Sequence, residues 1–346
     1  MRLILAVLAF LVLGAGGSQA GQFDGVVVRI GTFGGKWRDV VEKTVGAAFA
    51  KEGGKLEFVL GQPADNLARL IAARGAPPPF DMLETMDNLL PALKAGKYLA
   101  PIDLANVPNT AKLDPKLYDT DKIMDWVTEE GIVYNRKIFA EKGIPAPKTY
   151  SDLANPALKG HVSLPDINAG GAIPALVGMS IEAGGSEADI TPGLALVKKI
   201  APANFWSSSS VLQTGLAAGD IWAVAAQAGN VQRLRGQADL VAVFPPVHDK
   251  VGVLKQGYLV KIAGGSQPRA VEWIMNQFLA MPMQLATFQD AGQVPVNNDA
   301  LETLEKEPGN DFLRLAPAEI AGMYRIDFSK VNESAYVRAW NRNAAP

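Results

Sequence analysis

Two α/β lobes, each a mostly parallel sheet flanked by helices with a ligand cleft between them, are predicted by three observations. Short β-rich runs alternate with amphipathic helix patterns along the chain. The alternation starts afresh after Gly131. The length, 346 residues, suffices for two ordinary domains. A βαβαβ order implies parallel strands with helices on both faces, because parallel neighbours need a crossover between them.

The elements follow in order. "VVVRIGTF" reads as a strand, and "WRDVVEKTVGAAFAKEGG" as a helix with Val40, Val41, Val45 and Phe49 near one face and a stop at Gly53 and Gly54. "LEFVLG" is the next strand. "DNLARLIAARG" is a helix with Leu67, Leu70 and Ile71 inward, and "APPPFDMLET" turns into a third strand. "NLLPALKAGKYLAPI" is a helix with a glycine stop. In the second series "GIVYN" and "HVSLPD" are strands, followed by helices in "GAIPALVGMSIEAGG", "GLALVKKIAP" and "SSSVLQTGLAAGD". "IWAVAA" is a buried strand with Trp222 in the core. "DLVAVFPP" and "GYLVKIA" are further strands, and "QPRAVEWIMNQFLA" is a long helix with Val271, Ile274, Met275 and Phe278 on its apolar face. Ligands in open parallel sheets sit beyond the carboxyl ends of the strands, so two such lobes can face one another across a cleft.

Composition narrows the function classes. Lys and Arg number 33 against 35 Asp and Glu, for a net charge of -2, which argues against nucleic-acid binding on a basic surface. Hydrophobic residues make up 48%, fitting a packed globular chain. With no cysteine and two histidines, His161 and His248, neither a disulfide framework nor a thiol nucleophile nor a spaced metal site is available. The start, "MRLILAVLAFLVLGAGGSQAGQ", has Arg2, an apolar run from Leu3 to Leu13, and small residues with Ser18 and Ala20 at the −3 and −1 places of a cleavage site. Residues 1–20 are therefore expected to be a signal peptide cut near Ala20, and the run is about half of the ~20 residues that span a bilayer. No cysteine follows it, so a lipoprotein anchor is excluded.

The loop after the first strand, "RIGTFGGKWRD", is the first candidate for chemistry. A phosphate-binding loop of the Walker type needs a glycine where Ile30 stands, and Ser or Thr where Trp37 follows Lys36. The dinucleotide spacing fails as well, because Thr32 and Phe33 follow Gly31. Two readings remain open: a tight strand-to-helix turn with Trp37 packed on the lobe, or a ligand-contacting turn with Phe33 or Trp37 at the cleft. "GMSIE" is not a nucleophile elbow, and Glu129, Glu130 and Asp166 show no convergence that would mark acid–base catalysis. Trp126, in "IMDWVTEEGIVYN", stands just before the lobe junction, where a half-exposed aromatic ring could stack on a ligand.

Several stretches taken together resemble family 1 of the extracellular solute-binding proteins of ABC importers, in the group with spermidine/putrescine-, thiamine- and ferric-iron-binding members. They are "IGTFGGKW", "FDMLET" with "LKAGKYLAPID", "EEGIVYNRKIF", "PKTYSDLANPALKGHVSLPD", "GLAAGDIWAVAAQAGNV" and "AGQVPVNNDA". The resemblance covers nearly the whole chain after residue 20. It implies the type II periplasmic binding protein fold, with residues 21–128 and 257–300 in one lobe and 129–256 and 301–346 in the other. It also implies a soluble periplasmic monomer that closes on a small-molecule solute and delivers it to an inner-membrane ABC permease with its ATPase. No catalysis, cofactor or metal follows from it.

The resemblance and the residue types suggest Phe33, Gly34, Gly35, Trp37, Thr85, Asp87, Trp126, Glu129, Asp166, Gln227 and Tyr258 as ligand-binding residues. Asp166 matches an acid of the polyamine branch, whereas Gln227 stands where that branch has tryptophan and Gln256 or Gly257 where it has aspartate. The tyrosine pair of the iron branch is missing from "AVAAQAGN". Glycine turns at Gly34–Gly35 and Gly170–Gly171 favour an anionic or carbonyl group. Glu84, Asp87, Glu129 and Asp166 could neutralise an amine, and Trp37, Trp126 and Tyr258 could cover an apolar or cationic body. These features suit an organic cation or zwitterion, such as a polyamine- or thiamine-like compound. The alternatives are an anionic solute in the same fold, a secreted enzyme on a two-lobe scaffold, or a receptor partner that senses the solute.

Overall fold

A computed structural model describes residues 21–73, 75–310, 313 and 316–343, so the expected signal peptide lies outside the described residues. Twelve strands form among them: β1 (Val27–Thr32), β2 (Lys55–Leu60), β3 (Met82–Met86), β4 (Ile123–Asn135), β5 (Val162–Pro165), β6 (Asn204–Trp206), β7 (Ala223–Gln227), β8 (Leu240–Val243), β9 (Pro246–Val247), β10 (Lys250–Lys261), β11 (Val294–Pro295) and β12 (Met323–Arg325). They join in one sheet whose main path runs β2-β1-β3-β10-β4-β7-β5-β6. At one end β1 pairs in parallel with β2 and β3, and at the other β5 pairs in parallel with β6 and β7. The centre is antiparallel: β10 lies between β3 and β4, and β4 continues onto β7.

The two long strands make the sheet continuous. β4 pairs with β10 over Ile123–Thr128 and then with β7 and β8 over Glu130–Asn135. β10 pairs with β9 and β12 near its start and with β3 over Gly257–Lys261. All thirteen residues of β4 are buried, so its sequence shows no in–out alternation. That is why only its last five residues, "GIVYN", stand out as a strand, and why only the second half of β10 does.

Packing separates into two main cores. The first gathers Val28, Ile30, Val40, Val41, Val45, Phe49 and Met82 with Ile274, Met275 and Phe278. The second gathers Ile132, Tyr134 and Tyr150 with Leu176, Val177, Leu194 and Trp340. Leu301, Leu304 and Leu313 pack in the first core, beyond the division expected at residue 300.

The helix after β1 runs through Lys36–Val41, Glu42–Gly46 and Ala47–Lys51, its middle wound as a π-helix. It buries the four apolar residues expected of it and stops at Gly53, whose φ of 82° suits glycine. In the helix Pro63–Ala72, by contrast, Ile71 is 53% exposed; Pro63, Asn66 and Leu70 form the buried stripe instead. Trp222 also departs from expectation. It is half-buried, stacked on the His161 ring at 3.5 Å, with Lys142 Nζ 4.6 Å from its centroid. The stack and the amphipathic lysine cover the ring at the surface, where an apolar strand context alone suggests core.

Candidate functional site

The register locates the gap between the two parallel ends of the sheet. β3 ends at Met86, which pairs with Gly257, and Gly257 pairs with Trp126. β7 ends at Gln227, which pairs with Glu130. The carboxyl ends of β3 and β7 therefore face each other along β4 across Val127, Thr128 and Glu129. Lys255 and Gln256 of β10 lie beside that stretch, opposite Thr128 and Val127. Loops leaving the carboxyl ends of β1, β3, β5 and β7 surround it, as expected for a ligand site in this architecture.

On the first side, the loop after β1 leaves Gly34, Gly35 and Lys36 exposed and Phe33 half-buried. Gly35 caps the next helix with a φ of 65° and ψ of −147°, open only to glycine at low cost. Trp37 and Trp126 are 7% and 2% exposed, so both are buried rather than half-open at a cleft. The cause is local. The Trp126 ring lies against Gly257, where a Cβ would collide with it, and makes edge contacts with Phe33 at 6.1 Å and Trp37 at 6.2 Å. Both indoles point their N–H at Glu84: Trp37 Nε1 donates at 2.8 Å and Trp126 Nε1 at 3.4 Å, and the Thr32 hydroxyl donates as well.

Asp87 follows β3. It accepts from Gln256 Nε2 at 3.3 Å and from the Asn88 N–H at 3.0 Å, and Arg325 Nη1 donates to the other end of Gln256 at 3.2 Å. Burial pushes its carboxyl up to about 6, with the Lys255 charge among the opposing influences. Thr85 and Tyr258 are paired neighbours and buried. Burial raises the Tyr258 phenol, with the charge of Asp87 adding to it.

On the second side, Glu130 is buried on β4 and accepts from Thr128 Oγ1 at 2.9 Å. Lys255 Nζ lies 3.3 Å from Glu130 Oε1 and donates to the Gly170 carbonyl at 3.3 Å, tying β10 to the loop after β5. Arg233, in the turn of helix Asn230–Arg233 after β7, donates from Nε to the Ala291 carbonyl at 2.7 Å, while its buried Nη1 has no partner among the described residues. Burial lowers the Arg233 guanidinium to about 10, opposed by the Glu130 charge. Asp166 closes its own turn, accepting from the backbone and side chain of Asn168 at 2.9 Å each. Gln227 is half-buried beside Glu130, and Glu129 is buried, its carbonyl accepting from Ala228 N–H.

The structure thus groups Phe33, Trp37 and Trp126 around Glu84, and Thr85, Asp87 and Tyr258 along β3 and β10. Glu129 and Gln227 sit where β4 meets β7, and Asp166 lies at the end of β5. Lys255, Arg233 and Arg325 bring positive charge into this region and were absent from the expected set. The first two lie far apart in the chain and carry no local motif. Among the described residues no cluster of His, Asp and Glu could hold a metal ion, and no helix is long and apolar enough to cross a membrane.

The model of the bacterial extracellular solute-binding protein family matches residues 28–311. The chain belongs to that family. Solved structures agree on the fold of this solute-binding protein. An ABC transporter from Clostridium perfringens is 20% identical with a TM-score of 0.71, covering 92% of this chain and 100% of the other. A putative spermidine/putrescine ABC transporter from Listeria monocytogenes is 18% identical at 0.71, covering 90% and 97%. MotA of A. tumefaciens B6, solved with glucopine, is 18% identical at 0.70, covering 92% and 100%. No curated protein matches the chain at a significant level. Membership makes the protein a bacterial extracellular solute-binding protein, with a small-molecule ligand and a place of work outside the cytoplasm.

Proposed function

We propose that the solute is a small zwitterion, its ammonium held at Asp87 and its carboxylate at Arg233 and Lys255, with the two lobes closing on it. The observation that carries this reading is a pair of incompletely matched opposite charges at the facing strand ends. Asp87 is sunk among protein atoms with hydrogen bonds but, among the described residues, no direct ion pair. Arg233 keeps a buried Nη1 without an acceptor among the described residues. Each unmet charge costs free energy that a ligand of opposite charge recovers, so one molecule carrying both charges stabilises the closed state. Phe33, Gly34, Gly35 and Asp166, on loops around the gap, are proposed to complete the enclosure.

A polyamine fits less well, because its further ammonium groups would meet Lys255 and Arg233. A thiamine-like cation leaves Arg233 unmatched in the same way. The structural neighbours named for spermidine/putrescine and for glucopine span both kinds of ligand, so charge at the site discriminates between them better than fold.

The test is a thermal-shift and calorimetric panel of γ-aminobutyrate, an opine, spermidine, thiamine and glutarate. A ligand at ~100 times its Kd should stabilise the protein by about 2.7 kcal/mol. A zwitterion is expected to bind, Asp87→Asn and Arg233→Met are each expected to weaken it at least tenfold, and binding is expected to fade as Asp87 gains its proton below about pH 6. Stabilisation by spermidine or glutarate with none by the zwitterions would overturn the assignment.

A further inference from the structure

Glu84 and Asp125 are two carboxyl groups in the first core, each 1% exposed. Their surroundings differ sharply. Glu84 receives Thr32 Oγ1 from β1, Trp37 Nε1 from the following helix and Trp126 Nε1 from β4. Among the described residues no side chain donates to either buried carboxyl oxygen of Asp125, which has only its own and the Trp126 backbone N–H beside it. It occupies an irregular point of β4, where the β10 register steps from Gly257↔Trp126 to Tyr258↔Met124 and leaves Asp125 as the extra residue. Its side chain interacts with the Glu84 carboxyl.

We propose that Glu84 and Asp125 share one proton, resident on Asp125 and donated to Glu84, and that the Glu84 carboxylate so completed is the positioning residue for the Trp37 and Trp126 indoles. Two neighbouring carboxylates cannot both ionise in a buried setting without a cation. The groups facing the pair are Thr32 from β1, Trp37 from the helix and Trp126 from β4. β10 presents Gly257, Tyr258 and Leu259, and the charges that act on the Tyr258 phenol are those of Asp87, Arg325 and Asp119. No ion pair to Lys or Arg among the described residues involves either acid. Glu84, with three side-chain donors, is the better host for the charge, and Asp125, with no side-chain donor among the described residues, for the proton. Burial raises both carboxyls, and the Glu84 charge raises Asp125 further.

The arrangement matters to the ligand gap because Trp126 opens the β4 stretch that floors it, and its ring backs Phe33 at the edge. The zwitterion reading enters only in naming what the indoles support. The measurements that follow use no ligand, so their failure would leave that reading untouched.

Asp125→Asn keeps a donor toward Glu84 but has no proton to lose. An aspartate whose folded pKa lies above its unfolded value contributes stability that is present at low pH and lost as pH rises. The melting temperature of Asp125→Asn minus that of wild type should therefore climb by several degrees between pH 4.5 and pH 8. A difference that stays flat over that range overturns the shared proton. Positioning is read from the indole N–H resonances of the six tryptophans, with Trp37→Phe and Trp126→Phe giving the assignments. In Glu84→Gln the Trp37 and Trp126 peaks should move and the other four stay, and two stationary peaks would overturn the role of Glu84. Should Glu84→Gln not fold, wild type answers alone. The same two N–H protons should lie downfield and exchange slowly with D2O, and fast exchange of both overturns it.

Discussion

Asp87 shows how one side chain can carry opposite consequences for stability and for binding. Its folded pKa of about 6 lies above the ordinary 3.8, so the native state holds a proton that the unfolded chain releases between those values. Its contribution is fully present below about pH 4 and disappears as pH rises through about 6, at a cost of about 2–3 kcal/mol. Asp87→Asn should therefore unfold at higher urea than wild type at pH 7 and at nearly the same urea at pH 4. An equal gap at both pH values would mean that Asp87 already has a charge partner. Residues of this kind explain what the sequence conceals. Asp87 and Phe33 can be chosen from their places after apolar runs. Arg233, Lys255 and the Glu84–Asp125 contact take their places from contacts between segments distant in the chain, and no local spacing records them.

At the scale of elements, the parallel ends of the sheet are legible and the crossing strands are not. β1, β2 and β7 are apolar runs bounded by turns, and the helix Pro268–Phe278 buries the four residues its pattern singles out. β4 defeats the same reading because both of its faces are covered while Asp125, Glu129 and Glu130 interrupt its apolar run. The end of the chain offers a test at this level. Glu187 accepts from the Tyr324 hydroxyl at 2.8 Å and the Asp327 N–H at 2.7 Å, and its carbonyl accepts from the Tyr336 hydroxyl. It thereby fastens β12 and the helix Glu333–Asn343 to the second core. Glu187→Ala removes the two carboxylate bonds and should cost about 1–3 kcal/mol. Hydrogen exchange should quicken at Asp327 and through residues 323–343 while β5 and β7 keep their protection. Uniform loss of protection would show instead that the segment is integral to that core.

For the molecule as a whole, the two halves also touch away from the crossing strands. Gly229, after β7, lies so close to the Gly292 carbonyl that a Cβ there would collide with it. Arg233 and Gln232 reach the Ala291 and Gln289 carbonyls beside it, and Asn88 donates to Glu333 at 2.8 Å. Gly229→Ala should push these segments apart, raising the radius of gyration in solution scattering and lowering the melting temperature. An unchanged scattering profile would show that the approach is loose enough to absorb a methyl group.

The pairing of Met86 with Gly257 also has a consequence for synthesis. β1, β2 and β3 emerge from the ribosome early, but the strand that covers the open edge of β3 emerges only after most of the second core's residues have been made. Until then the N-terminal half presents an unpaired edge and an incomplete core, and non-local pairings of this kind form slowly. A chain that works beyond the inner membrane gains from that delay, since the interval before β10 arrives is one in which it remains unfolded enough to be threaded across.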